Sequence, residues 1–377
     1  MPHCFSNPQS FAPHPRLLVA QTGFLGDVVL TTPLIAELRR RLSPASLTVL
    51  TTPQARPLLE AHPAVDRVLV DAKRADGKGV LGLLRTARQL RREQFTIAVA
   101  PHKSLRTALL LALASIPQRI GFRHSPGWFL YHRTASRDRD RHEVERILCL
   151  LRAFGAEPEE CERRPFLAYG ETACKHARQL LRSAHIEEHE PVFIVCPGSV
   201  WPTKRWTVAG YAALVTRLAQ DYGKVLICGG PEDAAIAQAV HEQSARKGVN
   251  LVGQADLQTF IALIDRARVV ISNDSAPMHI AVARSIPVVA IFCATTPGLG
   301  YGPYSERAIV VEKKDLSCRP CSKHGTVACP RGTAACMRLI TVDEVLAGVD
   351  HMLTHAANSP KPQNPHLPRR APCGVPT

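Results

Sequence analysis

Leu17-Leu18-Val19-Ala20-Gln21-Thr22-Gly23-Phe24-Leu25-Gly26-Asp27 is the stretch of this 377-residue chain whose reading decides the fold. Its first four residues form a short apolar run, as a strand buried on both faces requires. The glycines mark a turn. Val28–Leu42 then carries apolar residues at helical spacing and ends in Arg39, Arg40 and Arg41, cations that suit a helix C-terminus. A buried strand feeding a helix through a Gly-rich turn is the repeating unit of a parallel, doubly wound sheet.

The unit recurs outward from there. Leu47–Thr51, Val65–Val70 and Thr96–Ala100 read as strands, with helical stretches at Gln54–Ala61 and Leu81–Gln94. The pattern then restarts with a strand at Val192–Cys196, a helix at Val208–Asp221 and a strand at Lys224–Cys228. A helix over Glu232–Lys247, the strand Val269–Ser272, a helix over Pro277–Arg284 and the strand Val288–Phe292 follow. The expected fold class is α/β, with two Rossmann-like doubly wound domains and no visible sequence repeat. The expected organisation is an extension at 1–15, a first domain at 16–175, a second at 185–350 and a tail at 358–377. The polar stretch around Glu187, Glu188 and Glu190 marks the boundary. Six prolines and little apolar content make disorder the expectation for the tail.

Hydrophobic content of 45% and charged content of 21% are ordinary for a soluble globular protein. No apolar run reaches the roughly 20 residues that span a bilayer, and Met1–Pro15 lacks the basic and apolar regions of a secretory signal. A cytoplasmic location is the expectation. The net charge is +15, of which residues 1–170 carry +10 and the remainder +5. That bias fits an anionic partner or a solvated surface. A non-catalytic nucleic-acid-binding protein, built on the basic charge and a late cysteine cluster, is the alternative of a different class, but with 5% aromatic residues and no recognisable binding module nucleic acid is not the expected partner.

Ligands of open α/β sheets bind beyond the carboxyl ends of the strands, so the strand-to-helix turns hold the candidates. Gly26 lets backbone approach a ligand. Asp27 stands at a helix start, where a carboxylate acts either as a general base or as a helix cap. The spacing is not GxGxxG, so no nicotinamide site is expected. Pro197-Gly198-Ser199-Val200-Trp201-Pro202-Thr203-Lys204-Arg205-Trp206 follows the first strand of the second half. Gly198, Ser199, Thr203 and Lys204 are its candidates, Lys204 as a point charge on a phosphate. A surface loop with Trp206 packed on the fold is the alternative. Asn273-Asp274-Ser275-Ala276-Pro277-Met278-His279 leads into a helix whose N–H groups and dipole form a phosphate seat. Ser275 and the Ala276 backbone suit a diphosphate, and His279 is either a contact or a structural histidine. Lys103, Ser104, Arg106 and Arg123 lie in the more basic half, as contacts to an anionic acceptor or as solvated helix ends.

These segments carry a resemblance. Gly26-Asp27-Val28-Val29-Leu30-Thr31-Thr32-Pro33, Pro197-Gly198-Ser199 with Lys204-Arg205-Trp206, and Asn273-Asp274-Ser275 with Met278-His279-Ile280-Ala281 resemble the signatures of the ADP-heptose:lipopolysaccharide heptosyltransferases, glycosyltransferase family 9. Gly229-Gly230-Pro231-Glu232-Asp233 and Val252-Gly253 match further positions, and the likeness covers roughly residues 16–350. It implies a GT-B fold, with two Rossmann-like domains facing a central cleft. It implies inverting transfer of L-glycero-D-manno-heptose from ADP-heptose to the heptosyl-Kdo-lipid A inner core, as in the heptosyltransferase II branch. Another core position or another sugar is the alternative. The resemblance puts Asp27 at the general base and Lys204 at the diphosphate lysine. Asp274, Ser275, Ala276 and His279 fall on the donor loop, and Glu232 near the ribose. Relatives commonly carry Gly at the position of Ala276, where a methyl requires negative φ. Because the acceptor is lipid A-linked, the resemblance also implies peripheral association with the anionic cytoplasmic face of the inner membrane.

No metal-chelating DxD pair stands at a strand-end turn; Asp138-Arg139-Asp140 lies in a highly charged stretch. A cation and a helix N-terminus are chemically sufficient for a diphosphate leaving group, so no cofactor is required. Cys318, Cys321, Cys329 and Cys336 could hold a structural zinc or an iron–sulfur cluster, stand as reduced thiols or form disulfides, although their gaps are not those of a zinc finger and a cytosolic redox poise disfavours disulfides. Cysteines recur similarly in the heptosyltransferase II branch.

Overall fold

The computed structural model describes residues 14–73 and 79–358, so the expected extension at 1–15 and the Pro-rich tail fall almost wholly outside the described residues. The chain divides into two compact units, Met1–Ala168 and Tyr169–Thr377.

In the first unit, β1 (Arg16–Ala20), β2 (Ser46–Thr51), β3 (Arg67–Val70), β4 (Ile97–Val99), β5 (Gln118–Phe122) and β6 (Arg133–Ala135) form a parallel sheet in the order β3-β2-β1-β4-β5-β6. Its helices are α1 (Leu25–Leu42), α2 (Gly79–Arg92), α3 (Leu105–Leu113) and α4 (Glu143–Leu148). Leu17–Ala20 of β1 are fully buried, which is why that run carries no polar residue. α1 continues through Pro33, whose missing N–H would orphan the Val29 carbonyl. The Thr32 hydroxyl donates to that carbonyl at 2.7 Å instead. Glu37 is buried on α1, and burial raises its carboxyl. Bonds from Arg40 and Arg41, at 2.7 and 2.8 Å, more than offset this and hold it below its ordinary value. The helix expected over Gln54–Ala61 is instead a single 3₁₀ turn at Arg56–Leu58. Pro53 and Pro57 each remove a backbone donor there, and Pro57 sits inside the turn.

In the second unit, β7 (Val192–Cys196), β8 (Lys224–Ile227), β9 (Val249–Asn250), β10 (Ala267–Asn273), β11 (Val288–Phe292) and β12 (Ala308–Glu312) are ordered β12-β11-β10-β7-β8-β9. By place within their unit, this is the order of the first sheet reversed, so the topology repeats where the sequence does not. The helices are α5 (Glu171–Ser183), α6 (Val208–Asp221), α7 (Ala234–Gln243), α8 (Leu257–Ile264), α9 (Ala276–Ala283), α10 (Ala335–Arg338) and α11 (Val342–Asn358). Tyr169 donates to Asp265 at 2.8 Å and the Gly170 N–H to Gln258 at 3.1 Å, which ties the start of α5 to the segment of α8. α5 therefore belongs to the second unit, and the division precedes it. No described helix is long and apolar enough to cross a membrane.

Candidate active site

Both sheets reverse strand order at one point: between β1 and β4 in the first, and between β7 and β10 in the second. In open α/β sheets such a reversal is where the loops leaving the two strands diverge and ligands bind. Most of the candidate residues follow these four strands; Arg123 follows β5 and Glu232 follows β8 instead.

In the second unit, Asn273 ends β10 fully buried. Its amide donates to the Pro197 and Gly198 carbonyls at 2.8 and 3.2 Å and accepts from the Trp206 N–H at 3.0 Å. One side chain thus staples the two loops. Lys204, on the turn Pro202–Lys204, meets Asp274 at 2.6 Å. The same carboxylate oxygen accepts the Thr295 hydroxyl at 2.7 Å. Lys204 is therefore held in place by a largely buried partner rather than waving in solvent. Arg205 clamps the Ser199 carbonyl with two bonds, at 2.9 and 2.6 Å. Trp206 is packed in the core edge-on to Tyr211. Thr203 is buried and exchanges bonds with Thr326. A Cβ on Gly198 would lie 2.0 Å from the Asp233 carboxyl carbon, so only glycine fits. Burial, then the charge of Glu232, raise the Asp233 carboxyl above its ordinary value. Glu232 itself is exposed on the turn after β8.

Ser275 is the residue preceding α9 but does not cap it. Its hydroxyl lies 3.2 Å from that of Ser272. Ser275, Ala276 and Pro277 are half-exposed, whereas His279 is buried one turn in. Ala276 opens α9 without positive φ, so its methyl is compatible with the backbone.

In the first unit, Asp27 sits in the first turn of α1 and accepts the Phe24 N–H at 3.0 Å. A Cβ on Gly23 would lie 2.6 Å from that carboxylate oxygen. Lys73, after β3, donates to the Thr22 carbonyl at 2.5 Å. His102, after β4, lies 3.4 Å from the Thr22 hydroxyl and 3.3 Å from that of Thr107. Arg106 forms a two-bond pair with buried Asp71, at 3.0 and 3.2 Å. Ser104 caps α3 by accepting the Thr107 N–H at 3.2 Å. Lys103 and Arg123 are exposed, and Gly26 is half-buried in the first turn of α1.

A family model described as glycosyltransferase family 9 (heptosyltransferase) matches residues 83–330. The chain belongs to this family. It is therefore a glycosyltransferase of the heptosyltransferase type, and its paired doubly wound units are those of the GT-B class. The chain is 27% identical over 320 residues to lipooligosaccharide heptosyltransferase 2 of Haemophilus ducreyi, covering 80% of this chain and 89% of the relative. It is 27% identical over 296 residues to lipopolysaccharide heptosyltransferase 3 of Escherichia coli K12, covering 75% and 84%. The structure of E. coli ADP-heptose LPS heptosyltransferase II shares the fold, with a TM-score of 0.74 at 23% identity over 91% of this chain and 99% of that one.

For a family 9 heptosyltransferase, the surroundings of the second half-site include the Cys-rich segment. Among the described residues, which include Cys318, Cys321, Cys329 and Cys336, no group of three or more His, Cys, Asp or Glu is arranged to hold a metal. Cys321 donates to the Cys318 carbonyl at 3.2 Å, and Cys336 lies in the hydrophobic core. What organises the segment is Arg319, which is buried. It donates to the Cys293 carbonyl, to Thr295 and Phe292 carbonyls at 2.6 and 3.0 Å, and to Glu312 at 2.9 Å. It thereby anchors the backbone of Thr295, the residue that holds Asp274.

Lys73, Asp71 and Thr295 are not among the residues expected from the sequence, and His102 opens the stretch His102–Arg106 expected to meet the acceptor. Each follows a strand at its carboxyl end, which is the signal that would have found them.

Burial pushes His62 down to about 4, and burial together with the Lys73 charge does the same to His102. The unfolded chain takes up these protons near pH 6.5, the folded protein only near pH 4. Their contribution to stability is therefore complete above pH 6.5 and is lost as pH falls through about 4. The melting temperature should drop across that window, and a His62→Gln, His102→Gln variant should flatten the drop. An equally steep fall in the double variant would contradict the assignment.

Proposed function

We propose that this heptosyltransferase moves L-glycero-D-manno-heptose from ADP-heptose, with inversion, onto the heptosyl-Kdo-lipid A inner core in lipopolysaccharide biosynthesis. The observation that carries the reading is the Lys204–Asp274 pair at 2.6 Å beside the N-terminus of α9, at the strand-order reversal of the second sheet. A positive charge and helix-end N–H groups together match a diphosphate leaving group.

In this mechanism Asp27 removes the proton from the acceptor hydroxyl as its oxygen attacks the anomeric carbon. The bond from that carbon to the diphosphate oxygen breaks, and ADP leaves with the electron pair. Lys204 and the first turn of α9 stabilise the growing charge on the diphosphate. Gly198, Ser199, Thr203, Glu232 and His279 shape the donor side. The basic first unit, through Gly26, Lys103, Ser104, Arg106 and Arg123, takes the acceptor. Lys73, next to Thr22, adds a cation on that side. The comparable likeness to E. coli heptosyltransferase 3 supports a second reading of the acceptor, a different heptose position of the core. The acceptor's lipid anchor places the enzyme on the anionic cytoplasmic face of the inner membrane as a peripheral protein.

Calorimetry should show ADP and ADP-heptose binding and UDP-sugars failing to bind; equal binding of both nucleotides would overturn the donor assignment. Transfer should also persist in excess EDTA, because Lys204 and α9 already face the leaving group. Loss of activity restored by magnesium or manganese, with thermal stability unchanged, would contradict this.

A further inference from the structure

We propose that the outer face of α3, together with the Trp128-Phe129 turn beside it, is the surface by which the first unit settles onto an anionic lipid bilayer. The proposal rests on the reading that the acceptor is lipid-linked. α3 reads Leu-Arg-Thr-Ala-Leu-Leu-Leu-Ala-Leu and is apolar on both sides. Ala108, Leu110 and Leu111 are buried in the core. Leu105, Leu109 and Leu113, four residues apart and so in one stripe, are 46, 36 and 43% exposed. Its only charged side chain, Arg106, is turned to Asp71. A helix that is apolar all round belongs in a core or against lipid, not at a water-facing surface.

The stripe continues onto a neighbouring turn. Gly127, at φ +79°, lies so close to α3 that a Cβ there would be 2.8 Å from Ala108 and 3.0 Å from Leu105. Trp128 and Phe129 follow at once, edge-on to each other and 52 and 68% exposed. Adjacent exposed aromatics of this kind suit the headgroup boundary, where an amphipathic ring has both solvents. α2 also packs on α3. Its exposed residues include Val80 and Leu81, then Arg85, Arg88, Arg91 and Arg92. Glu93, the acid that follows them, is already paired with Arg67. An exposed apolar stripe on α3 and exposed cations on the helix packed against it, in the unit that carries +10, complement anionic lipid in both solvation and charge.

The test uses the full chain and sedimentation with vesicles of phosphatidylglycerol and phosphatidylethanolamine, against phosphatidylcholine vesicles. Leu109→Ser, Leu113→Ser, Trp128→Ser and Phe129→Ser combined should lower partitioning about tenfold or more, removing the part that high salt leaves intact. Arg85→Gln with Arg88→Gln should remove the salt-sensitive part. Melting temperature and turnover on a deacylated acceptor should match the unaltered enzyme in both variants. Wild-type partitioning by the four-site variant would overturn the proposal. So would self-association of the unaltered chain that the four-site variant abolishes while vesicle binding stays intact, since a second copy would then be the occupant. Vesicle binding that follows the pattern while no variant transfers heptose would leave this surface standing and sink the functional reading.

Discussion

Asp27→Asn should lower turnover by about 10²–10⁴-fold while leaving ADP affinity near its original value. The substitution separates two roles that the geometry superimposes. As the third residue of α1, Asp27 reaches back to the Phe24 N–H at 3.0 Å, which is a capping contact. Asparagine keeps an oxygen that can accept that N–H and fits the same space against Gly23. It cannot take the acceptor proton. If Asp27 only capped the helix, Asp27→Asn would cost at most about 1 kcal/mol of stability and little activity. Turnover from ADP release, ADP affinity by calorimetry and the melting temperature together decide the matter. Near-normal turnover would leave Asp27 as a cap and remove it from the chemistry.

Lys204→Met should weaken ADP binding by about 10–100-fold, the range for one lost charge-assisted bond. It should slow transfer as well, because the lysine meets the diphosphate in both ground and transition states. The structure adds a complication that becomes a control. Lys204 is the ion partner of Asp274, and removing it leaves a buried carboxylate that keeps the Thr295 hydroxyl but loses its counter-charge. Breaking a buried pair from one side typically costs about 3–5 kcal/mol, so the single variant should also melt lower. Adding Asp274→Asn removes the orphaned charge. The double variant should regain melting temperature but not ADP affinity. Recovery of both would reduce Lys204 to a structural partner of Asp274.

The strands that built this account were legible because they are buried on both faces. Leu17–Ala20, Val192–Cys196 and Val288–Phe292 are unbroken apolar runs, and the structure has strands at each. The edge strands β6 and β9 have no such signature: β6 spans three residues, beginning Arg133-Thr134, and β9 is the pair Val249-Asn250. Local spacing misled at Gln54–Ala61, where apolar residues recur as in a helix but prolines withhold the donors that a helix needs. The candidate residues stood out wherever one loop carried several polar groups together. What the sequence could not convey was pairing across distance. Lys204 and Asp274 are 70 residues apart, and Lys73 meets Thr22 across 51. Such contacts depend on strand order, because β7 lies beside β10, and β1 between β2 and β4. The bonds from Arg319 to the Phe292 and Thr295 carbonyls, across 27 and 24 residues, are hidden from the sequence in the same way.

The most direct test of heptosyl transfer from ADP-heptose is incubation of the purified full chain with that donor and inner-core acceptors truncated at successive positions. Product mass and the configuration of the new linkage would be read for each. The account predicts one heptosyl residue added to the heptosyl-Kdo-lipid A acceptor, with the anomeric configuration inverted relative to the donor and ADP released in equal amount. Transfer with retained configuration, or no transfer to any truncated acceptor by a folded, ADP-binding protein, would contradict it.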